Sequence, residues 1–141
     1  MVKMRKVFSM KAAFFLIFVL LALPSSSQED PCKALLAKWN WEIESETGSG
    51  PYEIPKKLVG IPDLHYQKAS LDAGLDLSPF RGQKVQLRSF LLKERGAEYG
   101  AKIFAHIVVK DGRAIGAWLS TDAPVAPGIA SLKSKDFPKH L

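Results

Sequence analysis

Apolar residues in this chain follow two different periods. In DPCKALLAKWN, residues 30–40, Cys32, Leu35, Leu36 and Trp39 fall at i, i+3, i+4 and i+7, which places them on one face of a helix. Asp30 can accept from the free N–H groups at its start, and Pro31 suits the first helical position. Asn40 can take the left-handed conformation that ends helices. WEIE then alternates, Trp41 and Ile43 against Glu42 and Glu44, and predicts a short strand. SETGSG reads as a flexible turn. PYEIP reads as a short extended piece, because Pro51 and Pro55 disfavour helix just before them. KKLVGIPDLHYQKASLDAG predicts one helical turn, a break at Gly60, Ile61 and Pro62, and a second helix over residues 63–73 stopped by Gly74. Leu64, Gln67, Leu71 and Leu75 lie near one face of it.

The last third has period two. KVQLRSFLLKE alternates as a strand, and KIFAHIVVKDGRAIGAWLS holds two β-rich runs around Asp111 and Gly112, a pair that accepts the positive φ angles of a two-residue hairpin turn. An unbroken register from that turn sets Lys110 against Arg113, Val108 against Ile115, His106 against Ala117 and Phe104 against Leu119. It also sets Trp118 opposite Ala105. Neither face of this hairpin is polar, so both are at least partly covered. The segment 121–141 is punctuated by Pro and Gly and reads as an irregular C-terminal tail, with one short edge strand around residues 129–132.

Ahead of this domain the pattern is of another kind. Lys3, Arg5, Lys6 and Lys11 precede twelve uncharged apolar residues, 12–23, and then PSSSQED. This is the layout of a secretory signal. As a helix the apolar run reaches about 18 Å, short of the roughly 30 Å hydrocarbon core. Residues 1–27 are therefore expected to be a signal peptide, with an uncleaved anchor through residues 12–23 as the alternative, and residues 28–141 a single domain. Localisation is secreted or extracytoplasmic on either reading, membrane-anchored on the second.

Charge follows from the same division. The chain carries 20 basic and 14 acidic residues. Four of the basic residues precede Gln28, leaving 16 against 14 and a net charge of +2 for the domain. The basic pI thus belongs mostly to the leader, and a nucleic-acid partner is not supported. The single cysteine, Cys32, cannot close a disulfide within the chain, and its place on the apolar helix face reads as a small buried hydrophobe.

GLDLSPFRGQKV, residues 74–85, has the composition of a phosphate-gripping loop. Such a loop needs backbone N–H groups at a helix N-terminus after a strand; here a helix comes first and a strand follows. The stretch reads as a connector, with Ser78 and Pro79 as a turn, Phe80 as a plug into the core and Gly82 as a bend. No catalytic, cofactor or metal signature occurs: one Cys and three scattered His do not make a zinc site, and no nucleophile-elbow, Walker or zinc-protease pattern is present. The candidate interaction residues are Trp118, His106, Lys84, Arg88, Lys110 and Arg113. His106 is the histidine inside regular structure. A hydrolase using it would need a positioned acid. The basic residues of the hairpins are either solvated edges that guard against strand pairing or a patch for an anionic envelope polymer or the membrane surface.

The order of WNWEIE after a first helix, YEIPKKL, a helix containing Tyr66, GLDLSPFRGQKV and IFAHIVVKDGRAIGAW resembles an uncharacterised family of small exported or lipoprotein α+β domains from Gram-positive, often spore-forming bacteria. Two places depart from that pattern: the break at Gly60, Ile61 and Pro62, and the pair Ala117 and Trp118. The resemblance implies an exported α+β domain and no activity. Residue patterns and resemblance together predict two helical segments packed on an antiparallel sheet of three to five strands, with the C-terminal hairpin at its centre. The function expected is that of a non-enzymatic module at the cell envelope, binding an unknown envelope protein or polymer through a sheet edge or an uncovered patch around Trp118. The alternatives are a small hydrolase-like enzyme using His106 and a binder of anionic envelope polymers.

Overall fold

The computed structural model describes residues 29–126 and 128–141; the expected signal segment lies outside the described residues. Two helices, α1 (Pro31–Lys38) and α2 (Asp63–Asp72), accompany five strands: β1 (Ile43–Glu53), β2 (Lys84–Arg95), β3 (Lys102–Lys110), β4 (Arg113–Thr121) and β5 (Ile129–Ala130). The strands form one antiparallel sheet in the order β1-β2-β3-β4-β5. The α+β class and the β3–β4 hairpin are therefore present.

Local signals at α1 act as expected. The Asp30 carboxylate accepts from the Cys32 N–H at 2.9 Å, Cys32 and Leu36 are buried, and Asn40 has φ 61°. This helix covers one face of the sheet, where Phe90, Leu92, Ile103, Ala105, Ile107, Ala117 and Leu119 form the larger core. The C-terminal segment is tied into the same core. Leu132 and Leu141 are buried, and the Trp41 indole N–H donates to the Leu132 carbonyl at 2.7 Å, across 91 residues.

The turn expected at SETGSG is strand instead. β1 runs through it, paired with β2 from Ile43 to Glu53, with bulges between Ile43 and Ser45 and between Glu46 and Gly48. As an edge strand β1 tolerates Pro51 and its glycines, which a central strand would not. The helical turn expected after Pro55 is a series of non-helical turns leading to α2.

Docking of α2 also departs from expectation. Its buried residues are Gln67, Ala69 and Ser70, while Leu71 is exposed. The helix reaches the backbone at the edge of β4 through Ser70, and Tyr66 and Ala69 pack with the apolar residues of the sheet face opposite α1, so small and polar groups take the buried positions. The Ser70 hydroxyl accepts from the Ala117 N–H at 3.0 Å and reaches the Ala117 carbonyl at 3.2 Å and the Tyr66 carbonyl at 2.7 Å. β5 covers the edge further along, at Leu119 and Ser120. An exposed row of unpaired backbone groups is thereby avoided.

The hairpin register is the largest correction. Asp111 and Gly112 have positive φ and Lys110 does face Arg113, but a bulge follows, so Val109 faces Ala114 and Val108 faces Gly116. Ile115 is the extra residue. Beyond it every β4 side chain changes face, and Trp118 lies opposite His106, Ala117 opposite Ile107 and Ser120 opposite Phe104.

Residues 74–85 form the connector. Gly74 and Gly82 take positive φ, Ser78–Phe80 is a single 3-10 turn, and Asp76 accepts from the Ser78 N–H at 2.9 Å. The plug is Leu77, fully buried, with Phe80 only partly so. Leu77 sits against Gly116, where a Cβ would lie 2.4 Å from its Cδ2.

Two stability predictions follow from these contacts. Ser70→Ala leaves the Ala117 N–H without its buried acceptor and should cost about 1–3 kcal/mol in urea unfolding. Gly116→Ala should also destabilise, by roughly 1–3 kcal/mol, and Leu77→Ala in the same chain should recover part of that loss, because the collision is with the leucine; additive losses would show that Leu77 is not the obstruction.

Candidate functional site

The six residues singled out from the sequence fall in three places. Trp118 and His106 lie on the sheet face opposite α1. The ring of Tyr66, from the first turn of α2, stacks on Trp118 with centroids 4.0 Å apart and planes at 13°. Tyr52 approaches at 6.3 Å from β1. Trp118 is 3% exposed, so the uncovered patch expected around it is closed by Tyr66. A stacked pair of this kind contributes about 0.5–1.5 kcal/mol beyond area burial.

His106 sits at the centre of a polar row crossing three strands. Its Nδ1 lies 2.8 Å from the Ser89 Oγ on β2, and its Nε2 lies 2.7 Å from the Ser120 Oγ on β4. A neutral imidazole has one N–H and one lone pair, so one serine donates to the ring while the other accepts from it. The hydrolase reading required a carboxylate here, and both ring nitrogens are taken by serines instead. Burial pushes the imidazole down to about 4, so near neutral pH it is uncharged. A base that weak drives little proton abstraction from a serine hydroxyl. The Trp118 ring packs 5.7 Å away.

Arg88 occupies the second place, on the α1 side. Its guanidinium donates to both Asp30 oxygens at 2.7 and 2.8 Å and to both Glu46 oxygens at 2.9 and 3.0 Å. Its hydrogen bonds hold both carboxyls below their usual range. Beneath lies Cys32, fully buried, its thiol pushed up to about 11 by burial. It stays protonated at neutral pH, the opposite of a cysteine activated at a helix N-terminus.

Lys84, Lys110 and Arg113 form the third place, at the hairpin end of the sheet. Register brings them together: Lys84 pairs with Glu53 where β2 begins, and Lys110 with Arg113 at the turn. Lys110 donates to the Gln83 side chain and lies 5.3 Å over the Phe80 ring. The Lys56 side chain packs on Gly82, and Arg81 is exposed beside it. Phe80, Lys110, Asp111, Arg113 and Ile115 line a depression of about 320 Å³. Among the described residues, no group of three His, Cys, Asp or Glu could hold a metal ion.

The sequence matches the domain of unknown function DUF4830 over residues 35–119, more than half of the chain. The chain belongs to the DUF4830 family. No curated protein and no solved structure matches it. The matched span runs from Leu35 in α1 to Leu119 in β4, so it includes Ser89 and His106 of the polar row and the basic hairpin end but not Asp30 or Ser120.

Sequence reasoning missed Ser89, Ser120 and the role of Tyr66. An unrecognised bulge hid Ser120 and Trp118 from His106. Placing Ser89 required the β2–β3 register, which no tight turn fixes.

The row makes a pH prediction. An unfolded histidine titrates near 6.5, and the folded one near 4. The unfolded state therefore binds the proton first, and the stability His106 contributes above pH 6.5 is lost as pH falls towards 4. The loss is on the order of 3 kcal/mol at most, less with solvent screening. His106→Gln should flatten the stability profile between pH 6.5 and 4 in urea melts. In the wild type, NMR should show the imidazole still neutral at pH 5; a midpoint near 6.5 would contradict the burial argument.

Proposed function

We propose that this DUF4830 domain is a non-enzymatic binding module of an exported chain, docking on a phosphate-bearing anionic component of the cell envelope through its hairpin end. One observation carries the reading: apart from Lys102, exposed at the start of β3, the basic residues of the sheet fall into two groups. Arg88, Lys93 and Arg95 pair with Asp30, Glu46, Glu42 and Glu44. Lys84, Lys110 and Arg113, with Arg81 and Lys56 close by, make no ion pair among the described residues, and the nearby acids Glu53 and Asp111 do not balance them. Charge that guards an edge from aggregation has no need to cluster around a depression. Charge that attracts an anion does.

The His106 row supports the non-enzymatic part of the reading, since its imidazole is neutral, half-buried and bonded to two serines rather than to an acid. Export is supported by the basic and apolar pattern of residues 1–27, and a membrane tether through residues 12–23 would keep the domain beside an envelope ligand. Both of these segments lie outside the described residues.

Polyphosphate serves as a probe of the phosphate chemistry. Lys110→Glu with Arg113→Glu should weaken binding at low ionic strength by roughly tenfold, with the difference shrinking as added salt screens it. Lys93→Glu should leave binding within about twofold, because that lysine lies in the paired group. Equal losses in both variants, or none in either, would remove the hairpin end as the binding surface.

A further inference from the structure

The loop entering α2 holds a second pattern that the hairpin-end charges do not explain. Val59 is 72% exposed and Ile61 is 80% exposed, in the sequence KKLVGIP, residues 56–62. Lys56 and Lys57 are exposed immediately before them. Leu58, between the two groups, turns inward and packs against the smaller core with Ile54, Ile115 and Trp118. At its far end the Leu64 N–H donates to the Gly60 carbonyl at 2.7 Å, so the loop is fixed at both ends while two branched apolar side chains point into solvent. Isolated apolar residues on a surface are ordinary. Two of them, two residues apart on an anchored loop behind a lysine pair, match a different environment: apolar tips for acyl chains and ammonium groups for anionic headgroups.

We infer that residues 56–62 seat in the headgroup and acyl boundary of an anionic lipid bilayer, with Val59 and Ile61 below the phosphates and Lys56 and Lys57 among them. This deepens the phosphate-binding reading of the hairpin end, on which it rests, by naming the surface as a membrane. Charge complementarity selects the bilayer over an apolar protein groove. An apolar partner would give Lys56 and Lys57 nothing to meet, whereas each lysine near an anionic leaflet strengthens association about fivefold.

The test uses the full chain carrying a nitroxide label at Gly60→Cys. A side chain at Gly60 meets nothing within 4 Å, and Cys32, being fully buried, escapes labelling. Gly48→Cys on the edge strand is the reference, since a side chain there also has open space. With phosphatidylglycerol vesicles, the Gly60→Cys label should gain collisions with oxygen and lose them with a water-soluble nickel chelate, and the Gly48→Cys label should change little. Pure phosphatidylcholine vesicles, or Lys56→Gln with Lys57→Gln, should reduce the seated population, by about fivefold for each lysine. A Gly60→Cys label as open to the nickel chelate as the reference, in a chain whose polyphosphate binding still responds to charge reversal at Lys110 and Arg113, overturns the bilayer assignment alone. Loss of that response in the polyphosphate assay would instead count against the hairpin-end reading.

Discussion

One inserted residue sets the arrangement of this domain. The Asp111 and Gly112 turn fixes where β3 and β4 start to pair, and Ile115 breaks the pairing two residues later. Without that bulge, Trp118 and Ser120 would face α1, and Ala117 would face His106. With it, Gly116 lies under Leu77, Trp118 under Tyr66, and Ser120 within reach of His106. The α2 helix then lies against the strand edge, where Ser70 takes up the backbone of Ala117. A bulge turns the strand locally and re-aims its side chains, and here it decides which groups meet on each side of the sheet.

The polar groups divide between the inside of the fold and its charged surface. Those inside the fold serve structure: Ser70 closes a strand edge, Gln67 donates to Asp76 and accepts from the Leu77 N–H, and His106 links three strands through Ser89 and Ser120. Charge is handled separately. Four ion pairs hold the Asp30, Glu42, Glu44 and Glu46 side to β2, while at the opposite end of the strands Lys84 and Arg113 are exposed and Lys110 is half-buried against Gln83 and Phe80. The exposed Lys93–Glu42 pair adds little stability, whereas Arg88, with two bonds to each of Asp30 and Glu46, ties α1 and β1 to β2; the unpaired group acts through the field around the molecule.

Much of the fold could be read from local chemistry. Asp30, Pro31 and Asn40 bound α1, Gly74 stops α2, and Asp111 with Gly112 makes the hairpin, because each of these residues acts through its own backbone angle or nearest N–H. The connector nature of residues 74–85 was legible for the same reason. What escaped depended on contacts distant in sequence. SETGSG has turn composition, yet pairing with β2 makes it strand. The apolar stripe through Leu71 looked like a buried face, but a helix docking on backbone needs hydrogen-bonding and small groups. The bulge at Ile115 was hidden because both faces of the hairpin are apolar, so a one-residue slip leaves no polar residue misplaced to betray it. The patch imagined at Trp118 failed with it, whereas Lys110 and Arg113, ahead of the bulge, were correctly placed against each other.

The clasp between Trp41 and Leu132 has a temporal side. Lys135 reinforces it, donating to the Asn40 carbonyl at 2.7 Å and lying 3.7 Å over the Trp41 ring. A polypeptide emerging from a ribosome or a translocation channel with its first residues leading would have α1 and β1 available long before their closing partner exists. Such long-range closure is slow, and until it occurs an indole and one side of the main core stay wet. Completion of this domain is thus timed by the arrival of the segment around Leu132 and Lys135, which latches down the junction of α1 and β1.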